Sequence, residues 1–166
     1  MVMLMRLLKH AFFPDFAVGR AFPSAVLEGI TAAIAESENS HSGEIRFVVE
    51  AALPPLRAWR GQSARERAIE LFGELRIWDT EHNNGVLIYL LLAEKNVEIV
   101  ADRGAAARIA PELWEDICKA MEAAFREARF GSGVLDGLQR ISAELARHFP
   151  AQAGNPNELP DRPLLL

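Results

Sequence analysis

Asn83-Asn84-Gly85-Val86-Leu87-Ile88-Tyr89-Leu90-Leu91-Leu92 is followed, ten residues on, by Asp102-Arg103-Gly104. The run from Val86 to Leu92 is apolar without alternation, the pattern of a central strand covered on both faces. Glu94-Lys95 supplies a turn, and Val97 to Ala101 returns as an antiparallel partner. A hairpin centred on Glu94-Lys95 opposes Asp102 to Leu87, Arg103 to Val86 and Gly104 to Gly85. Cross-strand neighbours lie roughly 5 Å apart, so Asp102 and Arg103 fall beside Asn83 and Asn84. Polar residues gathered at one end of an apolar strand pair point to a site.

Outward from this hairpin, Glu44 to Leu53 alternates, with Ile45, Phe47, Val49 and Ala51 on one side and Glu44, Arg46 and Glu50 on the other. This predicts a half-buried strand ended by Pro54-Pro55. A helix lies between the two strands. Ser63 and Glu66 have the spacing of a capping box, and Ala64, Ala68, Leu71, Phe72, Leu75 and Trp78 make its apolar face. A strand–helix–strand crossover makes the flanking strands parallel. Ser42 and Glu44 then reach the same polar edge, joined by Asp79 and Glu81 through the loop before Asn83.

Further out, residues 4–13 predict a short helix ended by Pro14, and Pro23-Ser24 starts another that runs to about Glu36. Pro111 opens a long helix to about Ala128, with Trp114, Ile117, Cys118, Met121 and Phe125 inward. Gly131 reads as its stop. A last helix turns Val134, Leu138, Ile141 and Leu145 inward and ends before Pro150. The order predicts an α/β three-layer sandwich, a small mixed β-sheet with helices on both faces. Residues 1–22 read as an N-terminal extension, 23–150 as the domain and 151–166 as a flexible C-terminal tail.

The 166 residues are half hydrophobic and a quarter charged, with a formal charge of −5. A mildly acidic chain without a Lys/Arg stripe has no footprint for nucleic acid and is not expected to cling to an anionic membrane surface. No apolar run of about 18 residues predicts membrane insertion. With one cysteine, Cys118, no intramolecular disulfide can form, and its place in an apolar helical stripe reads as packing. Together these features predict a cytoplasmic protein.

At the polar edge two chemistries compete with plain turn structure. Asp79, Glu81 and Asp102, with the Asn83 amide, offer the oxygen ligands that calcium or magnesium takes. Arg103, with Asn83 and Asn84, could grip a phosphate or carboxylate through its fork of donors. Asp, Asn and Gly equally populate ordinary turns, and Asp102-Arg103 then reads as a solvated strand end. His41 and His82 could approach the edge, but the histidines have no metal-ligand spacing. Ser63 reads as a cap, and no nucleophile elbow, phosphate loop or dinucleotide fingerprint is present.

Arg67-Ala68 to Phe72, Trp78-Asp79-Thr80-Glu81, Asn83 to Tyr89 and Glu98 to Gly104 closely resemble the TPM-domain family. Trp114, Phe125, Phe130-Gly131 and His148-Phe149-Pro150 resemble its single-domain bacterial branch, which lacks signal peptide and membrane anchor. The resemblance covers roughly residues 24–150. It implies a sheet sandwiched by helices and, through relatives in thylakoid phosphatase activity, photosystem II repair and receptor modulation, a calcium or magnesium site at the sheet edge. By motif position, Asn83, Asn84, Asp102 and Arg103 would occupy that pocket, and paired asparagines make it less acidic than paired aspartates. The expectation is a noncatalytic module that binds an ion or an unidentified protein partner. The alternative is a divalent-metal-assisted phosphatase acting on phosphomonoesters.

Overall fold

The computed structural model describes residues 2–14, 16–154 and 156–166, so Met1, Asp15 and Asn155 of the expected extension and tail lie outside the described residues. Helices α1 (Val2–Ala11), α2 (Phe16–Ala21) and α3 (Ser24–Ser37) precede β1 (Glu44–Glu50). Next come α4 (Pro55–Trp59), α5 (Ala64–Glu74), β2 (Gly85–Leu91), β3 (Asn96–Ala101) and α6 (Arg103–Ala106). The chain continues through α7 (Pro111–Arg126) and α8 (Phe130–His148) to β4 (Leu164–Leu165).

The four strands form one mixed sheet in the order β3-β2-β1-β4. β1 runs parallel to β2, as a crossover through α5 requires, and β2 is antiparallel to β3. Ile30, Ile34, Ile117, Phe125, Leu138 and Ile141 of α3, α7 and α8 pack on one face against Phe47 and Ile88. Ala68 and Leu71 of α5 cover the other face against Val48, Leu87 and Tyr89. This is the expected layered α/β sandwich, with apolar burial as its main driving force.

β1 is not half-buried. All seven of its residues are buried, including Glu44, Arg46 and Glu50. The segment expected to be a flexible tail covers its outer edge, because Leu164 and Leu165 return to pair in parallel with Val48 and Val49, while Arg67 of α5 covers Glu50. The Leu166 amide donates to the Val49 carbonyl at 2.8 Å, and the Ala51 amide donates to the Leu166 carbonyl at 2.9 Å. Arg46 donates from Nη1 to the carbonyls of Pro160 (2.8 Å) and Arg162, so a charged side chain fastens the returning segment.

The hairpin register also differs from expectation. Leu91 pairs with Asn96 and Val86 with Ala101, which leaves a four-residue turn, Leu92 to Lys95, with Lys95 at φ 50°. Asp102 therefore stands opposite Gly85, its amide donating to the Gly85 carbonyl at 2.9 Å, rather than opposite Leu87. Both registers keep every side chain on its own face, so the hydrophobic pattern cannot distinguish them.

The Ser63–Glu66 capping box forms as expected. α5 ends earlier than its apolar stripe suggests, in a Schellman motif with Arg76 at φ 54°: the Ile77 amide reaches the Phe72 carbonyl and the Arg76 amide the Gly73 carbonyl. Trp78 is consequently exposed, and Ile77 takes the buried place. α7 ends the same way at Ala128 (φ 59°), so Gly131 lies inside α8 instead of stopping α7.

Candidate functional site

The loop between α5 and β2 is held down by close backbone contacts at two glycines. A Cβ on Gly85 would collide with the Ile77 carbonyl, so only glycine lets that loop lie directly on the sheet. A Cβ on Gly104 would stand 2.5 Å from the Asn83 carbonyl and 2.7 Å from that of His82. Its absence lets the Gly104 amide donate to the Asn83 carbonyl at 2.8 Å. The two glycine-ended motifs of the sequence thus join the start of β2 to the end of β3.

Asp102 is buried, and its Oδ1 accepts from the Arg103 amide at 2.7 Å as the N-cap of α6. Its Oδ2 is buried without a partner among the described residues, as is Asn84 Oδ1. Asn84 Nδ2 donates to the Ser42 carbonyl at 2.9 Å, tying β2 to the segment before β1. Arg103 is exposed. Its Nε donates to Asn83 Oδ1 at 3.1 Å, and no carboxylate pairs with it among the described residues. Asn83 itself sits at φ 51°, a left-handed conformation that asparagine tolerates better than most residues. Asp79 and Glu81 lie exposed on the loop above, the Glu81 amide donating to the Glu158 carboxylate at 3.1 Å.

Thus Arg103 and Gly104 contact Asn83 while Asp102 lies beside Gly85, and Asp79, Glu81 and Asp102 do not form a three-ligand cluster among the described residues. Among the described residues no three His, Cys, Asp or Glu side chains converge to hold a metal. Glu44 pairs with Gly85 from one side and Asp102 from the other. Two strand spacings put their backbones roughly 10 Å apart, with the Ile77 backbone against Gly85 in between. They cannot share one ion.

Glu44 belongs instead to a second acidic group under the C-terminal segment. Its Oε2 accepts from the Leu159 amide at 3.0 Å. Burial raises the Glu44 pKa. Burial, reinforced by Glu44 and Asp161, pushes Glu38 up to about 8. Sequence reasoning placed Glu44 at the edge but missed Glu38, at the end of α3, and Glu158 and Asp161, which only the return of the C-terminal segment brings there. His41 is fully buried, pairs through its backbone with Pro150, and has its pKa lowered by burial. It is a neutral structural histidine at pH 7. Burial likewise pushes the Cys118 thiol up to about 12, which removes it as a nucleophile.

Another group missed by sequence reasoning lies at the far end of the α5 face. Arg67 donates from Nε to Glu50 at 3.0 Å, and the Tyr89 hydroxyl donates to the same carboxylate at 2.7 Å. Arg67 and Tyr89 are both motif residues, and this shared carboxylate gives them a structural role. A signal existed: Arg67 follows the capped start of α5 by one turn, on the helix that must cover β1.

Comparison with known proteins follows the same lines. No protein of curated function matches the chain. The NMR structure of the BA42 protein from the psychrophilic bacterium Bizionia argentinensis is similar, with a TM-score of 0.77 and 27% identity, covering 87% of this chain and 95% of that one. The model of the TPM domain family matches residues 20–144. With that match spanning most of the sandwich and both glycine motifs, this chain belongs to the TPM domain family.

Proposed function

We propose that this chain is a noncatalytic binding module that engages its partner at the Asn83–Arg103 edge. Arg103 carries the proposal: it is exposed, braced at Nε by Asn83, and without a carboxylate partner among the described residues. A braced guanidinium with free donors suits a carboxylate or phosphate group on a protein partner. Asp102 Oδ2 and the nearby amide oxygens would add a weakly held calcium or magnesium ion, with Asp79 and Glu81 above it. Against hydrolysis stands the use of Asp102 Oδ1 as a helix cap. The alternative, a metal-assisted phosphomonoesterase, draws on the same Arg103 fork, which would hold phosphoryl oxygens while a bound divalent ion supplied Lewis acidity.

Titration of the full chain with magnesium, calcium and inorganic phosphate, followed by amide NMR, separates the readings. Shifts confined to residues 79–84 and 102–104, with the phosphate response lost in Arg103→Ala, are expected. A generic phosphomonoester should show no turnover above blank. Metal-dependent turnover abolished by Asp102→Asn, which retains a good N-cap, would replace the module with the enzyme.

A further inference from the structure

At the opposite end of the molecule, the first two helices expose an apolar surface. Leu4 and Leu8 recur one helical turn apart on the outer side of α1, with Met5 beside them and Phe12 continuing the row just past the helix end. Phe12 is 79% exposed, Met5 66%, and Phe16 at the start of α2 68%. The inner side of α1 is accounted for: His10 is buried, and its Nε2 and Arg6 Nε each lie 2.7 Å from Glu94. The outer stripe has no such partner among the described residues. α4 packs against α1 and exposes Trp59 at 55%.

The unpaired charges on these helices are basic, whereas Arg6 is paired with Glu94 and Arg57 with Glu70. Lys9, Arg20 and Arg60 are exposed and enter no ion pair among the described residues. Residues 1–21 carry Arg6, Lys9 and Arg20 against the single acid Asp15, and residues 54–60 carry Arg57 and Arg60 against none, in a chain whose net charge is −5. Aromatic and aliphatic side chains interspersed with lysine and arginine on a short surface helix are the composition of an interfacial element. Such a helix lies in the headgroup plane without crossing the bilayer. No helix of the described residues is long and apolar enough to cross.

We propose that α1, α2 and α4 dock this protein peripherally on an anionic lipid bilayer, with Leu4, Met5, Leu8, Phe12, Phe16 and Trp59 entering the interface and Lys9, Arg20 and Arg60 facing lipid phosphates. Overall charge hides the feature because acids elsewhere outweigh a locally basic face. The surface is separate from the Asn83–Arg103 edge, so docked protein could still present that edge to a partner.

Co-sedimentation of the full chain with phosphatidylglycerol/phosphatidylcholine vesicles tests this, alongside emission from Trp59 read by difference against Trp59→Phe. Partition into the anionic vesicles with a blue shift of Trp59 is expected, weakening as salt rises. Each of Lys9→Gln and Arg60→Gln should lower partition roughly fivefold. Leu8→Glu and Phe12→Glu, both at exposed positions, should abolish it while keeping the wild-type melting temperature. No sedimentation, or equal partition into pure phosphatidylcholine, overturns the proposal. So does a stable dimer in sedimentation velocity that Leu8→Glu dissolves without any vesicle binding by the wild type, which would assign the face to a second copy of the chain.

Discussion

Gly104 shows how much one missing side chain contributes to the polar edge. Its amide reaches the Asn83 carbonyl because nothing projects from its α-carbon into the Asn83 and His82 backbones. Gly104→Ala would force those carbonyls away, and overpacking of this kind costs about 2 kcal/mol. Urea denaturation should show that loss, with NMR shifts spreading from Asn83 to Arg103. An unchanged midpoint would mean that the loop moves freely. The glycine motifs were legible in the sequence as turn punctuation, and the polar residues around them as a cluster. Their division of labour was not. Whether an aspartate oxygen caps a helix or faces solvent depends on the backbone direction after it, and α6 was not foreseen at Arg103.

Helices with a capped start and a clean apolar period are visible from their residues alone. α5, α7 and α8 begin close to where Ser63, Pro111 and the residues before Val134 place them. Their ends were harder, because Arg76 and Ala128 adopt left-handed conformations that neither residue type favours. The C-terminal strand is the element that sequence pattern could not supply. Two leucines have no periodicity, and their partner strand lies more than a hundred residues earlier. Arg46 is the fastener of that segment through the Pro160 and Arg162 carbonyls. Arg46→Met keeps the buried stem and removes the donors. Hydrogen exchange should then accelerate at the amides of Leu164 to Leu166, while β2 and β3 stay protected. Equal acceleration throughout the sheet would show that the strand unfolds only with the whole molecule.

For the molecule as a whole, the docked C-terminal segment imposes a pH dependence. Glu38 is raised from its ordinary 4.5 to about 8, chiefly by burial and then by Glu44 and Asp161. An acid that holds its proton more tightly when folded contributes stability that is complete below the ordinary pKa. That stability declines as pH rises, because the unfolded chain releases the proton first, and levels off above about 8. Glu44 adds a dependence of the same sign. The urea midpoint should therefore fall between pH about 5 and about 8, and Glu38→Gln should flatten the slope. Identical slopes in the two proteins would remove Glu38 as the source.

The same contrast separates near from far across the chain. Strand and helix identity, the parallel crossover, the layered α/β architecture and the clustering of Asn83, Asn84, Asp102 and Arg103 all follow from side-chain period and turn chemistry within a few residues. The register of β3, the burial of Glu44, Arg46 and Glu50, and the apolar face of α1 do not. Alternation marks a charged residue as polar. It cannot say whether water, a distant arginine or a returning chain end will satisfy that charge. Partners of that kind are set by long-range packing, where a two-residue slip leaves every face unchanged and a terminal strand turns a solvent-facing strand into the centre of a sheet.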